Sequence, residues 1–230
     1  MKSSSTREPK LICFTGIDGS GKTTLAKYLV EVMAQEGIKY TYVYGRLEPF
    51  ILKPFILIGR KIFLREDDIY KDYIGYSTKK QETIQQHPFL FGFYRYLLLF
   101  DYFLQIFFRV KLPYLLGRKI VCDRYVYDTV ITDLAVDMNL SKYEIKKMID
   151  RFFHIAPKPD LTFLIDLPEE IAFQRKDDTP SIEYLKERRR FYLDVGKEEE
   201  MIILNGSKNV DELKRDIQKS FYQHIEGTKR

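Results

Sequence analysis

Short apolar runs alternate along the chain with longer segments in which apolar residues recur at helical spacing. The short runs are rich in β-branched and aromatic residues, which favours buried strands. The predicted strands are Lys10–Thr15, Ile38–Tyr44, Lys119–Cys122, Leu161–Asp166 and Met201–Leu204. Helices are predicted at about 22–35, 88–110, 125–138, 141–153, 168–176, 181–195 and 210–225. This alternation predicts an α/β fold in which a parallel sheet carries helices on both faces.

Several predicted helices have recognisable ends. Gly37 is placed to end the first helix, and Pro88 suits the first turn of the long helix that follows it. Ser141 and Glu144 form a capping box at the start of the helix at 141–153. We expect the long helix to bend near Gly92, because glycine weakens a helix interior.

The long helix is unusually aromatic. The stretch 94–116 contains Asp101, Gln105, Arg109, Lys111 and Pro113, so it falls short of an uninterrupted membrane span. Its aromatic residues at helical spacing are predicted to face the core rather than to stack on a base. They are Phe93, Tyr96, Phe100, Phe103 and Phe107.

Composition narrows the class of protein. A chain of 230 residues with 45% hydrophobic content fits one domain, predicted at 10–230 after a disordered polar tail at 1–9. Only two cysteines are present, both in predicted buried strands, so no disulfide framework or metal cluster is expected. No apolar run suited to a signal peptide follows the tail, and we expect a cytoplasmic protein. The net charge of +5 suits a polyanionic small ligand as well as nucleic acid, so charge alone selects neither.

A phosphate-binding pattern decides between these ligands. Residues 16–24 read GIDGSGKTT and match G-x-x-x-x-G-K-[ST], between a predicted strand and a predicted helix. The glycines let several backbone N–H groups face one anion, Lys22 adds charge, and the Thr23 hydroxyl can bind Mg²⁺. The motif therefore predicts that the chain binds a nucleoside triphosphate with Mg²⁺. We expect ATP as this ligand, a small-molecule nucleotide acceptor as the partner, and no nucleic acid.

Further polar residues follow the other predicted strands. The carboxyl ends of parallel strands meet at one edge of a sheet, where ligands bind. Arg46–Pro49 follows the second strand, Asp123–Tyr125 the third, Arg175 lies beyond the fourth, and Asn205–Lys208 follows the fifth. Asp123 is predicted to support Mg²⁺ together with Thr23, although an Asp there could also cap the next helix. Arg124 has a planar fork suited to phosphate oxygens, or to a surface salt bridge.

Together these residues resemble the thymidylate kinase family of P-loop nucleotide kinases, over nearly the whole chain. The resemblance rests on the phosphate loop with Asp18, Arg46…Glu48-Pro49, Phe91…Arg95, Asp123-Arg124-Tyr125, Pro159-Asp160 and Arg175. It implies a three-layer P-loop fold with a five-stranded parallel sheet of order 2-3-1-4-5. It also implies an acceptor-side segment at 46–116 and a short lid at 175–187.

The resemblance assigns roles on the acceptor side. Asp18 would bond the sugar 3′-hydroxyl, Phe91 would stack on the base, and Arg95 would bond the base edge or its phosphate. Arg124 and Arg46 would hold the acceptor phosphate. The substrate-binding set is predicted as Asp18, Arg46, Glu48, Phe91, Arg95, Arg124 and Tyr125.

The donor side is assigned in the same way. Lys22, Arg124 and Arg175 are the predicted catalytic residues, and Asn205 to Lys208 would lie against the adenine. The predicted cofactor-binding set is Gly16, Asp18, Gly19, Ser20, Gly21, Lys22, Thr23, Thr24, Asn205 and Lys208. The run Arg188-Arg189-Arg190 is expected to be a solvated face, from which one arginine could reach the phosphates.

All departures from the family pattern lie on the acceptor side. Tyr94 stands where the family has Asn, and the run at 126–133 lacks the family's Ser and Ala-Tyr-Gln. Three hypotheses therefore stay open at this point: transfer to a nucleoside monophosphate such as dTMP, transfer to a hydroxyl acceptor with Glu48 as base, or nucleotide binding without catalysis. A homodimer through the apolar helices is also expected, because their surface needs a cover.

Overall fold

The computed structural model describes residues 8–46, 48, 86, 88–135, 140–176 and 179–227. Within these ranges five parallel strands form one sheet in the order β2-β3-β1-β4-β5, which confirms the predicted order. The strands are β1 (Leu11–Thr15), β2 (Tyr40–Tyr44), β3 (Lys119–Asp123), β4 (Leu161–Asp166) and β5 (Ile202–Asn205). Each lies within two residues of its predicted limits.

Helices connect the strands as parallel pairing requires. They are α1 (Lys22–Gln35), α2 (Pro88–Ile106), a π-helical turn (Phe107–Lys111), α3 (Leu112–Leu115), α4 (Val126–Asp128), a π-helical segment (Thr129–Ala135), α5 (Lys142–Ile155), α6 (Glu169–Gln174), α7 (Ile182–Glu198) and α8 (Val210–Gly227). The predicted capping box is present, since the Ser141 side chain accepts from the Glu144 backbone and the Glu144 carboxylate accepts from the Ser141 backbone.

The sheet separates two apolar layers, as the alternation of side chains along β1 requires. Ile12 and Phe14 pack with α1 and α8, for example against Leu29 and Ile217. The other face, which carries Cys13, packs with α2, the π-helical segment, α5 and α7. Both sheet faces are therefore covered by helices, and the predicted three-layer fold is confirmed.

Two predicted helices differ from the structure in a way that affects the site. The segment predicted as a helix at 125–138 is instead a short α-helix followed by the π-helical segment, and 136–139 lie outside the described residues. The long helix predicted to about 110 ends as α2 at Ile106 and is followed by the π-helical turn at 107–111. Gly92 lies within α2, and the bend expected there stays a prediction. A π-helix inserts a residue relative to an α-helix, and a side-chain pattern of period 3.6 gives no warning of it.

The prediction that the aromatic stripe of α2 faces the core is wrong for its first half. Phe93, Tyr96 and Phe100 are 63%, 67% and 48% exposed. The buried face of this helix carries Tyr102 and Ile106 instead. Because almost every position of α2 is apolar, the periodicity could not indicate which face is buried. None of the described helices is long and apolar enough to cross a membrane.

The predicted segment boundaries fall partly outside the described residues. Of the predicted tail, Glu8 and Pro9 are described, and the Pro9 carbonyl accepts a hydrogen bond from Tyr40 at 2.6 Å. Of the acceptor-side segment, the described part is 46, 48, 86 and 88–116. Of the lid at 175–187, residues 177 and 178 are outside the description, and 182–187 form the first turns of α7.

Candidate active site

The loop after β1 has a backbone conformation that requires glycine. Gly16, Gly19 and Gly21 have φ angles of 139°, 80° and 91°, which L side chains rarely adopt. A Cβ at Gly16 would lie 2.6 Å from the Ile165 carbonyl oxygen, and one at Gly19 would lie 2.6 Å from the Ala172 carbonyl oxygen. The loop thus packs directly against the end of β4 and against α6. It leads into the N-terminus of α1, where negative charge is favoured.

Lys22 is held within this loop. Its side chain is buried, and Nζ donates to the carbonyl oxygens of Gly16 at 2.7 Å and Ile17 at 2.6 Å and to Ser20 Oγ at 3.3 Å. Burial, followed by the nearby Arg124 guanidinium, lowers the pKa of Lys22 to about 7. A phosphate bound here would raise this pKa again, because a nearby anion favours the charged ammonium.

Thr23 and Asp123 form a pair of the kind that binds Mg²⁺. The Thr23 hydroxyl donates to Asp123 Oδ2 at 2.6 Å, and the Tyr42 hydroxyl donates to the same oxygen at 2.7 Å. Asp123 Oδ1 is buried, and no described residue forms a hydrogen bond with it. Mg²⁺ is commonly held by one or two protein oxygens together with substrate phosphates, so the residues present fit this ion. Elsewhere in the described ranges, no group of three or more His, Cys, Asp or Glu side chains could hold a metal.

A buried ion pair joins the phosphate loop to the end of β3. Arg124 Nη2 donates to Asp18 Oδ1 at 2.5 Å. Burial alone would raise the pKa of Asp18, but Arg124, Lys22 and Arg46 hold it well below its ordinary value. The Nε and Nη1 donors of Arg124 are buried and have no hydrogen-bond partner among the residues that the structure describes. Arg124 also has a φ of 66°, a strained conformation for a residue with a side chain. An arginine with unused N–H donors is well suited to bind an anion.

A second ion pair lies beside the first. Arg46 donates from Nη2 to Asp133 Oδ1 at 2.7 Å and from Nε to Oδ1 at 3.2 Å and Oδ2 at 3.3 Å. Its Nη1 atom lies 4.0 Å from Asp18 Oδ1. Although burial works in the opposite direction, Asp133 raises the pKa of Arg46 above its ordinary value. Two arginines therefore converge on Asp18 from different strands.

Asp128 connects this region to α7. It is fully buried and accepts from the Thr15 hydroxyl at 2.8 Å, the Tyr125 backbone at 3.1 Å and the Tyr192 hydroxyl at 2.9 Å. Its Oδ1 also lies 3.8 Å from Arg124 Nη1. Burial raises the pKa of Asp128, against the opposing effect of Arg124. The carboxylate thus joins β1, the π-helical region and α7 at the edge of the site.

Two predicted substrate-binding residues lie away from these pairs. Glu48 Oε2 is 3.6 Å from Arg109 Nη1, and the Glu48 side chain is 59% exposed. Glu48 therefore pairs neither with Arg46 nor with Arg124, the two partners considered for it. Tyr125 is completely buried, and its hydroxyl donates to the Pro157 carbonyl at 3.1 Å. Contrary to the predicted substrate contact, Tyr125 is a core residue that anchors the end of β3.

Phe91 and Arg95 both lie on α2, one turn apart. Their side chains lie outside the part of the chain that the structure describes, so their predicted contacts with the acceptor base stay predictions. Tyr102, further along the same helix, is buried and donates to the Gly45 carbonyl at 3.3 Å. This bond brings α2 against the end of β2, where Arg46 begins its approach to the site.

The cation nearest to Asp18 from the predicted lid is Lys176. Its Nζ lies 3.9 Å from Asp18 Oδ1. Arg175 ends α6 with its side chain exposed to solvent. Its predicted contact with the transferring phosphoryl group stays a prediction.

The expectation that Arg188, Arg189 and Arg190 form a solvated face is wrong for the first two. Arg188 is 5% exposed and donates to the Thr132 carbonyl at 3.2 Å. Arg189 donates to both carboxylate oxygens of Asp166, at 2.7 and 3.1 Å. Helix α7 packs against the sheet at this point, so consecutive arginines necessarily face different surroundings.

The remaining donor-side residues lie at the same sheet edge. Asn205 ends β5, and its side-chain oxygen accepts from the Ser207 backbone at 3.0 Å. Lys208 pairs with Asp216 at 2.7 Å. Thr24 is exposed on the first turn of α1. Their predicted contacts with the nucleotide stay predictions.

Sequence reasoning missed four polar residues of this region: Tyr42, Asp128, Asp133 and Arg188. Tyr42, Asp128 and Asp133 contact the predicted site residues Asp123, Arg124 and Arg46, and Arg188 donates to the carbonyl of Thr132, next to Asp133. Tyr42 looked like an ordinary strand residue, and Arg188 looked like one of a basic run. Asp128 and Asp133 could have been identified as candidate site residues, because they are carboxylates in a largely apolar segment directly after Asp123-Arg124.

Comparisons with known proteins agree with the geometry. The family described as thymidylate kinase matches residues 93–217. A probable thymidylate kinase of Archaeoglobus fulgidus is 28% identical over 218 residues, covering 91% of this chain and 93% of that protein. A probable thymidylate kinase of Sulfolobus acidocaldarius is 30% identical, with 94% and 99% covered. The thymidylate kinase of Leptospira interrogans is 26% identical, with 96% and 98% covered. These matches show that the chain is a nucleotide kinase and that it belongs to the thymidylate kinase family.

Proposed function

We propose that this protein transfers the γ-phosphoryl group of ATP to dTMP, forming dTDP and ADP. The observation that carries the proposal is the buried pair of Asp18 and Arg124, which sets an acceptor-side carboxylate and an arginine with unused donors beside Lys22. The names of the relatives support thymidylate as the acceptor.

The charged residues have different roles in the proposed reaction. Lys22 binds the outer phosphates of ATP, and the loop backbone and the start of α1 bind the rest. Arg124 and Arg46 bind the acceptor phosphate, whose oxygen forms the new bond to the γ-phosphorus as the bond to the β-phosphate oxygen breaks. Asp18 fixes both arginines and accepts from the sugar 3′-hydroxyl. Catalysis then comes from positioning and charge neutralisation.

Mg²⁺ is part of the proposal. Thr23 and Asp123 would hold it, and the bound ion would neutralise charge on the β- and γ-phosphate oxygens. Phe91 and Arg95 are proposed to contact the acceptor base. Asn205 and Lys208 are proposed to contact the adenine of ATP. Arg175 is proposed to reach the transferring group from the lid.

The geometry favours a phosphate acceptor over a hydroxyl acceptor. A monophosphate is already an anion, so its attack needs no strong base. A hydroxyl needs one, and Glu48, the residue considered for that role, is paired with Arg109 of the π-helical turn. The arginines at the site suit a phosphate directly.

An acceptor comparison tests the proposal. Purified protein with ATP and Mg²⁺ is assayed for ADP release with dTMP, with thymidine and without acceptor. We expect release that depends on dTMP. Release with thymidine alone would replace the proposal with a hydroxyl kinase. ATP binding without turnover over a panel of nucleotides and alcohols would instead favour a non-catalytic protein.

We also propose that the protein is a cytoplasmic homodimer. The location is inferred from the proposed substrates, and the dimer from the exposed apolar face of α2 and α3, which includes Tyr96, Phe100, Leu115 and Leu116. An apolar surface of this kind usually meets a partner. Light scattering should give twice the chain mass, and Phe100→Lys should shift the mass toward the monomer. A wild-type monomer at micromolar concentration would reject the dimer.

A further inference from the structure

Arg46 binds Asp133 with one edge of its guanidinium group, and among the described residues the other edge makes no hydrogen bond. Nε and Nη2 both donate to the carboxylate of Asp133. A guanidinium has five N–H donors in a fixed plane. Within the described part of the chain, two donors on Nη1 and one on Nη2 therefore remain unused, and Nη1 lies 4.0 Å from Asp18 Oδ1. The free edge has the geometry for a bidentate bond to phosphate.

Asp133 reaches Arg46 because of the π-helical segment. The segment spans Thr129–Ala135 directly after Asp128, so both carboxylates lie close to the arginines of the site. Asp128 lies 3.8 Å from Arg124, and Asp133 lies 2.7 Å from Arg46. Side chains five residues apart lie close together on a π-helix, which has a wider turn than an α-helix.

The two arginines are held differently. Arg124 is buried against Asp18 and strained in its backbone, so its orientation is fixed by the fold itself. Arg46 follows β2 on a partly exposed loop, and its side chain has more freedom to lose when it binds an anion. A bidentate carboxylate removes that freedom before the ligand arrives, and preorganisation of this kind improves affinity.

We propose that Asp133 is a positioning residue, which orients the free edge of Arg46 toward the acceptor phosphate and so sets the affinity for the acceptor. The inference rests on the proposed function, because it takes a phosphate-bearing acceptor as the ligand of Arg46. Asp133 acts through Arg46 and does not touch the acceptor. Its contribution should therefore disappear when Arg46 is absent.

A double-mutant cycle tests this dependence. The variants are Asp133→Asn, Arg46→Met and the double variant, assayed for the KM of dTMP, the KM of ATP and kcat. Asp133→Asn should raise the KM of dTMP about tenfold and leave the other two values within about twofold. In the Arg46→Met background, the same substitution should change the KM of dTMP less than about twofold. Asp133→Glu, which keeps the charge, should recover part of the affinity.

Asp166 provides a matched control. It holds Arg189 in a bidentate pair of the same type on the other half of the sheet. Asp166→Asn should leave the KM of dTMP unchanged, and thermal melting of every variant checks that it folds. If the wild type shows no turnover with dTMP, the proposed function and this inference both fail. If the wild type turns over dTMP but the two substitutions are additive, only the role of Asp133 is overturned.

Discussion

Backbone groups form the proposed donor half of the site, whereas side chains from distant segments form its proposed acceptor half. In the donor half, three glycines with positive φ shape one continuous loop, and Lys22 bonds to carbonyl oxygens of that same loop. In the acceptor half, Asp18 meets Arg124, which is 106 positions away, and Arg46 meets Asp133, which is 87 positions away.

This difference explains why the donor half is easier to recognise in the sequence than the acceptor half. A backbone site needs particular residue types at consecutive positions, because glycine conformations and a helix start must follow in order. A side-chain site needs only complementary charges at the same place in space. Many sequence positions can supply these, so the acceptor half can vary while the donor half keeps its pattern.

Lys22→Met should give the largest effect, since it removes the charged group of the donor half and leaves the loop backbone intact. We expect kcat to fall by about a thousandfold or more, because a preorganised charge in a dry site stabilises the transition state strongly. Steady-state assays with dTMP measure it. Lys219→Met, at an exposed lysine of α8, is the control and should change nothing. A loss of less than tenfold would mean that the loop binds phosphate without Lys22.

Asp123→Asn should give the next largest effect. Asp123 receives hydroxyl bonds from Thr23 and Tyr42, so the amide keeps the fold but loses the charge that a cation needs. We expect kcat to fall about a hundredfold and the Mg²⁺ concentration for half-maximal rate to rise. Rates measured against free Mg²⁺ test this. Asp160→Asn, whose carboxylate bonds the Lys10 and Leu11 backbone, should leave the Mg²⁺ dependence as in the wild type.

Gly19→Ala and Gly21→Ala separate the cost of a positive φ from the cost of a steric clash within the donor loop. Both positions have positive φ, which costs alanine about 1 kcal/mol. Only at Gly19 would the new Cβ also meet a backbone atom, the Ala172 carbonyl oxygen at 2.6 Å. We expect losses in the free energy of unfolding of about 3 kcal/mol for Gly19→Ala and about 1 kcal/mol for Gly21→Ala. Urea unfolding measures both, and equal losses would show that the close packing against α6 is unimportant.

Glu48→Gln should give the smallest effect. Glu48 is exposed and paired with Arg109, and an exposed ion pair contributes little. We expect kcat and the KM of dTMP to stay within about twofold of the wild type. The same variant is assayed with thymidine. A large loss of any thymidine activity would identify Glu48 as the base of a hydroxyl kinase. The acceptor half would then bind a hydroxyl acceptor rather than a phosphate.

Much of the fold could be predicted because its signals are local. The apolar runs located all five strands of the described sheet, and the Ser141 capping box located the start of α5. The π-helical segment could not be predicted, since no residue type marks where one extra residue enters a helical turn. The buried face of α2 could not be predicted either, because Phe100 and Tyr102 are both large aromatic residues and only packing buries one of them.

The same division applies to the site. The structure brings Lys22, Thr23, Asp123 and Arg124 together at one edge of the sheet, as the strand ends and the loop pattern indicate, and their roles stay predictions. The sequence misplaced Tyr125, because an aromatic residue next to a site can face either the ligand or the core. It did not find Asp133, whose role depends on contact with Arg46 rather than on its neighbours in the chain.

By itself, the sequence determined that this chain folds into a parallel α/β sheet and carries a phosphate-binding loop, because both depend on patterns within about twenty residues. The tertiary structure decided which charges meet. It paired Asp18 with Arg124, Arg46 with Asp133 and Glu48 with Arg109. Electrostatic attraction acts over a few ångströms in space and is indifferent to separation along the chain, so only the folded arrangement of the strands could reveal these pairs.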